Sequence, residues 1–158
     1  MQRAIKIGIC FGITSGIITT LGLMVGLTSG TQSKLVVIGG ILTIAIADAF
    51  SDALGIHISE ESGKNKTHAE VWMATIATFL AKFLFALTFA IPVFLLELDM
   101  AVWVSVAWGL FAMIVLNFYL AKEQKESPWG PIAEHLFITI LVITITYFLG
   151  EWIARTFV

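Results

Sequence analysis

Five apolar stretches, each long enough to cross a hydrocarbon layer, dominate this 158-residue chain and leave little room between them for anything else. A hydrocarbon core of ~30 Å takes about 20 helical residues. The stretches fall at residues 4–29, 35–58, 70–96, 100–121 and 131–156, and the connections Gly30 to Lys34, Ser59 to Ala69, Glu97 to Asp99 and Lys122 to Gly130 are too short for a soluble domain. With 58% hydrophobic and 13% charged residues, and a mean hydropathy of +0.95, the chain lies outside the usual mix of a soluble domain. The expected fold is all-α, a polytopic membrane protein of five transmembrane helices forming one domain over 1–158. The first run, Ile5 to about Leu27, is too long for a signal-peptide core and the chain after it stays apolar.

Charge placement sets an expected orientation. Arg3, Lys6, Lys64, Lys66, Lys122 and Lys125 lie on one side of a five-span topology, Lys34 and Arg155 on the other. The positive-inside bias puts the N-terminus in the cytoplasm and the C-terminus opposite. The basic residues are scattered, so no patch is left to hold nucleic acid. Cys10 is the only cysteine, which excludes an intrachain disulfide and a thiolate cluster. Trp72, Trp103, Trp129 and Trp152 fall near span ends, where an indole ring sits between headgroup and acyl chain. Pro92, Pro128 and Pro131 read as helix-end punctuation.

Two glycine series mark the first span, at 8, 12 and 16 and at 22, 26 and 30. Fourfold spacing of small residues lets backbones approach closely. Packing within one subunit, a subunit interface and a pathway lining all remain open; the expectation tested below is that this face meets a second subunit or its pathway.

The second span is where chemistry enters. Asp48 and Asp52 stand inside an apolar run, and at about 100° per residue they share a small polar stripe with Ser51, Gly55 and Ser59, while His57 points to the opposite side. Each ionised carboxylate costs at least ~2.5 kcal/mol to insert, so two on one face require a compensating partner. A proton, a cation or Lys82, near the middle of the third span, could serve. Two readings stand side by side: cation ligands with proton coupling through Asp48, Asp52 and Lys82, or a static buried ion cluster. A second group gathers at the cytoplasmic mouth, with His57, Ser59, Glu60, Glu61, His68 and Glu70 around the second connection, Glu123 and Glu126 in the fourth, and Glu134 and His135 opening the fifth span. Carboxylate with imidazole suits divalent first-row metals, and acids at a mouth concentrate cations. Of these, His57, Glu60, Glu61, Glu134 and His135 are the expected capture residues; solvated loop charge is the plainer alternative.

Catalysis finds no foothold. Neither a phosphate-binding glycine loop ending in Lys-Ser or Lys-Thr nor His-Glu-x-x-His occurs. Acids at i and i+4 on one helix cannot face a peptide bond from two sides, which removes an aspartyl-protease arrangement. The chain is therefore expected not to be an enzyme.

The run Ser15-Gly16-Ile17-Ile18-Thr19-Thr20-Leu21-Gly22-Leu23-Met24-Val25-Gly26, followed by Ala47-Asp48-Ala49-Phe50-Ser51-Asp52-Ala53-Leu54-Gly55-Ile56-His57-Ile58-Ser59, resembles the first two helices of the vacuolar iron transporter family. Weaker likeness continues through Phe89-Ala90-Ile91-Pro92 and Tyr147-Phe148-Leu149-Gly150. The resemblance implies a homodimer in the lipid bilayer that moves ferrous iron or manganese out of the cytosol against protons, with the first two helices of both subunits lining a path. Metal is then the transported substrate, with no permanently bound cofactor. Carried onto this chain, the ligand set is Asp48, Asp52, Ser51 and Ser15. Ser15-Gly16 stands where the family usually has Asp-Gly, Ser51-Asp52 where it has Ser-Met, Asp48 where a small residue is usual and His57 where an aromatic is. Charge has moved from helix one to helix two, and a carboxylate in place of a thioether favours harder ions. Only Glu60 to His68 replaces the glutamate-rich cytoplasmic domain that many members carry. The rival expectations are a non-transporting membrane protein with a structural Asp/Lys cluster, and a carrier of another cation or small solute.

Overall fold

The computed structural model describes residues 2–63 and 66–157; Lys64, one of the cations counted above, lies outside the described residues. Five helices follow one another: α1 Gln2–Thr31, α2 Lys34–Glu61, α3 His68–Leu95, α4 Leu98–Gln124 and α5 Trp129–Phe157. All five are long and apolar enough to cross a membrane. The expected spans correspond one to one with the helices, which run one to three residues further at every end except that of α3, one residue shorter. Polar end residues break the apolar run but not the backbone ladder, so hydropathy stops before the helix does.

Local signals explain the boundaries. Gln32 takes a left-handed conformation at φ 49° and its N–H returns to the Thr28 carbonyl at 3.0 Å, ending α1. Ser33 then opens α2, its Oγ accepting from Val36 N–H at 3.4 Å. Thr67 and Glu70 form a reciprocal capping box before α3: Glu70 N–H donates to Thr67 Oγ1 at 3.3 Å, and Thr67 N–H to Glu70 Oε2 at 3.1 Å. At the end of α4, Lys125 adopts φ 59° and Glu126 N–H reaches back to the Ala121 carbonyl at 2.9 Å, satisfying a carbonyl the helix leaves open. Pro131 sits in the first turn of α5, where a backbone N–H has no helical partner to lose. Pro92 falls inside the last turn of α3.

The residues group into two compact units, one drawn from 1–20 and 41–90, the other from 21–40 and 91–158. In the first, the glycines of α1 lie against α3. A Cβ at Gly8 would come within 2.8 Å of Ala77 Cβ and Thr78 N, and one at Gly12 within 2.6 Å of the Thr78 carbonyl oxygen. In the second unit, Gly22, Gly26 and Gly30 face α5 at Val142, Thr146 and Gly150. Ser29 Oγ donates across this contact to the Tyr147 carbonyl at 3.0 Å. Both glycine series are thus engaged within the chain. This corrects the expectation that the glycine face of α1 meets a second subunit or its pathway: α3 and α5 already hold the close approach that the spacing permits.

Small residues also make the contact face of α4. Ala101, Ser105, Gly109, Met113, Asn117 and Ala121 recur every fourth position and are buried. Outward, the chain presents Phe50, Leu54, Leu84, Phe111, Phe118 and Phe148, each about 50–65% exposed. So large an exposed apolar surface would aggregate in water and suits lipid. With its five apolar helices, the chain fits an integral, multi-pass membrane protein. Trp72, Trp103, Trp129 and Trp152 are all exposed close to helix ends, as an interfacial anchoring role requires.

Candidate functional site

Asp48 and Lys82 occupy the middle of their helices. Asp48 lies 14 residues beyond the first residue of α2 and 13 before its last, and Lys82 stands at the same positions in α3. The expected spans left a depth difference of about 5 Å between them; counted from the observed helix ends, 13 residues for Asp48 and 14 for Lys82, it shrinks to about 1.5 Å. Lys82 is 1% exposed and its ammonium lies 2.5 Å from Asp48 Oδ2 and 2.5 Å from Asp52 Oδ2. Its remaining contact is Ser15 Oγ on α1, which accepts at 2.9 Å.

This cluster is a product of the glycine spacing. Because α1 approaches the α3 backbone at Gly8 and Gly12, Ser15 is carried within reach of the Lys82 ammonium. At Gly16 the approach is looser: a Cβ would meet Lys82 Cγ at 3.5 Å, an ordinary contact, so the lysine stem passes over this position. On α2, the i to i+4 spacing stacks Asp48 and Asp52 one turn apart on the same side. One lysine can therefore touch both.

The three contacts match the three donors of an ammonium group. They are not equivalent. Asp52 Oδ2 receives a hydrogen bond, whereas the buried Asp48 Oδ2 takes no aligned hydrogen bond and pairs with Lys82 by charge alone. With all three groups ionised, one positive charge faces two negative ones, so the cluster carries a formal charge of minus one. The Asp side chains are 27% and 19% exposed while Lys82 is sealed, which leaves the open side of the cluster acidic.

Of the expected ligands, Asp48, Asp52 and Ser15 meet in this cluster through Lys82. Ser51 does not join them. It is exposed, and together with Thr43, Ala47, Gly55 and Ser59 it forms a stripe of small residues along α2, all exposed. A Cβ added at Gly55 would meet nothing within 4 Å.

The expected capture residues are dispersed. His57 is engaged with α3: Thr75 Oγ1 donates to the Val71 carbonyl at 2.8 Å and so must accept from His57 Nδ1–H at 3.0 Å. The ring also stands edge-on to Trp72, with centroids 4.8 Å apart. Glu60 pairs with Lys66 at 2.6 Å, and Glu61 is exposed. In the second unit Glu134 is exposed and His135 Nδ1 lies 2.5 Å from Asn117 Oδ1. Asn117 donates its amide to the Met113 carbonyl at 2.8 Å, which makes Oδ1 the acceptor of the histidine proton. Among the described residues, no three His, Cys, Asp or Glu side chains converge as a metal-ligand set.

Asn117 escaped the sequence reading, although a polar amide at a fourfold small-residue position of α4 was the available signal. A groove of the first unit, about 670 Å³, runs along Ile5, Ile9, Ile76, Leu80 and Leu84 and holds no carboxylate. It offers a surface for acyl chains, not for an ion. No protein-family model matches the chain, and no curated protein matches it significantly.

Proposed function

We propose that this chain is a membrane carrier of a cation, with Asp48 and Asp52 as the carboxylates that receive it and Lys82 as a tethered cation that holds them between transport events. The observation that carries this reading is the uneven charge at mid-helix: a single sealed ammonium serves two partly open carboxylates. The deficit of one positive charge is met by a proton or by an arriving cation. Metal and proton compete for the same oxygens, so exchange of one for the other on opposite sides of the membrane is antiport.

The substrate in this reading is divalent manganese or ferrous iron, supported by the resemblance of α1 and α2 to the vacuolar iron transporter family and by carboxylate and hydroxyl donors. Two carboxylates in one chain fall short of a full ligand set. A homodimer would double them, and the face available for it is the exposed small-residue stripe of α2, which borders both acids. Six basic residues against two support a cytoplasmic N-terminus. The carrier reading assigns the acids no catalytic step.

The test is flux into proteoliposomes holding a pH-sensitive dye, with manganese, ferrous iron, cobalt, zinc, magnesium and calcium supplied in parallel. Metal-dependent proton movement lost in Asp52→Asn supports the proposal. Normal coupled transport in both Asp52→Asn and Asp48→Asn refutes it. One observation favours the rival static cluster: the Lys82 ammonium already meets both carboxylates and the Ser15 hydroxyl within the chain. On that reading no metal moves at all, and the acids matter only to stability.

A further inference from the structure

A cavity of about 630 Å³ in the second unit, bounded by α1, α4 and α5, runs from a polar rim with two acids to an apolar floor. Gln32, just past the end of α1, Asp99, in the first turn of α4, and Glu151, six residues before the end of α5, stand at its rim. One to two turns deeper come Thr28, Trp103 and Tyr147. The floor is Val25, Val106 and Ile143. Seven or eight residues separate rim from floor on each helix, a depth of about 10–12 Å at ~1.5 Å per residue. Ser29, Val102 and Thr144 complete the lining, and all three helices place a polar residue at the rim and an apolar one at the floor.

No lysine or arginine lines it. Lys34, the cation at this end of α2, donates instead to the carbonyls of Phe94 at 3.4 Å and Leu96 at 2.9 Å. Arg155 meets Glu151 at 3.0 Å, but its side chain is 80% exposed, so it screens that acid from outside without filling the space. Asp99 makes no ion pair among the described residues, and it lies in the first turn of α4, where the helix dipole favours an anion. Thr28 is 7% exposed and its Oγ1 takes no hydrogen bond, although Thr31 and Thr144 bond back to their own helices.

We propose that this cavity binds an amphiphilic organic ammonium ion, head between Asp99 and Glu151, hydrocarbon part on the valine and isoleucine floor. Trp103 and Tyr147 lie between the two levels, and aromatic rings attract an organic cation. The volume falls in the range of small-ligand sites, ~300–1,000 Å³. A bare metal ion would need more than two carboxylates and would gain nothing from the apolar floor; an anion would meet two acids at the entrance. The site is independent of Asp48 and Asp52 and stands whether or not those residues carry a cation.

The test is equilibrium dialysis of radiolabelled hexyltrimethylammonium against the full chain in nanodiscs, with hexanol as the uncharged control. Asp99→Asn/Glu151→Gln should weaken hexyltrimethylammonium binding at least tenfold and leave hexanol unchanged. Trp103→Leu should weaken it about two- to fivefold, the range for a cation over an exposed ring. Should the double variant fail to fold, Asp99→Asn alone at an exposed position carries the same test. Discs of phosphatidylglycerol and discs enriched in phosphatidylethanolamine separate the two sources of an ammonium group. Competition only in the latter makes the ligand a lipid headgroup, and equal binding in both makes it a free amine. Undiminished binding in a folded double variant, or hexanol bound as tightly as the ammonium, overturns the proposal.

Discussion

Replacing Lys82 by methionine keeps a stem of similar length and removes the one charge that separates Asp48 from Asp52. Both Oδ2 atoms lie 2.5 Å from Nζ, so they can be no further apart than twice that distance, and without the ammonium they repel. Removing one partner of a buried ion pair costs about 3–5 kcal/mol. The carboxylates keep 27% and 19% of their side-chain surface, which relieves part of that, so the lower end, about 3 kcal/mol, is expected. At ~2–4 °C per kcal/mol for a chain of this size, Lys82→Met should lower the melting temperature by about 6–12 °C. Charge, not packing, is the cause, and a mutant cycle separates them. Adding Asp48→Asn and Asp52→Asn to Lys82→Met leaves a polar but uncharged cluster and should restore most of the loss, a coupling of the size seen for groups in contact. Thermal unfolding followed by size-exclusion recovery in one detergent measures all variants. A Lys82→Met protein that melts within about 2 °C of the parent, or a triple variant no more stable than Lys82→Met alone, refutes the reasoning.

Ser15→Ala strips one acceptor from a charged donor and should cost about 1.5–3 kcal/mol, read by the same melting assay. Gly12→Ala pushes a methyl to within 2.6 Å of the Thr78 carbonyl and should destabilise by about 1–3 kcal/mol, whereas Gly16→Ala, whose Cβ would sit 3.5 Å from Lys82, should be near neutral; equal effects would deny the close α1–α3 approach. Cysteine at Ser62, with Cys10 replaced, should label from the cytoplasmic side in oriented vesicles and cysteine at Gln32 from the other; the reverse pattern would end the assigned orientation. Asn117→Leu should release His135 from its acceptor and lower stability by about 1–3 kcal/mol, checked against His135→Ala, since the pair lost together should cost less than the two losses added.

The existence and order of all five helices were legible because length and apolarity suffice for a helix that must satisfy its own backbone in lipid. Their ends were not, since Thr67 with Glu70 and Lys125 with Glu126 act through hydrogen bonds that hydropathy does not see. The acids and Lys82 could be singled out from cost alone, and their pairing could be reached by counting depth. What could not be read was which face of α1 goes where. A four-residue glycine repeat states that a backbone comes close, and says nothing of whose backbone it is. The structure gives one series to α3 and the other to α5. Ser51 was grouped with Asp48 and Asp52 because a 100° wheel places them within one third of a turn; the real stripe is narrower, and Ser51 falls on its exposed margin.

A buried ion triad replaced by neutral groups of similar volume is often as stable as before, because the desolvation of three charges vanishes with their attraction. If the triad served only assembly, the triple neutral variant would lose nothing that matters. If it handles a cation, the same variant folds and cannot couple metal to protons, since it offers neither carboxylates to the ion nor a tethered charge to reset them. On the carrier reading, stability and transport part company in that variant, and the separation would follow from the charge count at mid-helix: two partly open carboxylates held by one sealed lysine, where a static pair would need only one of them.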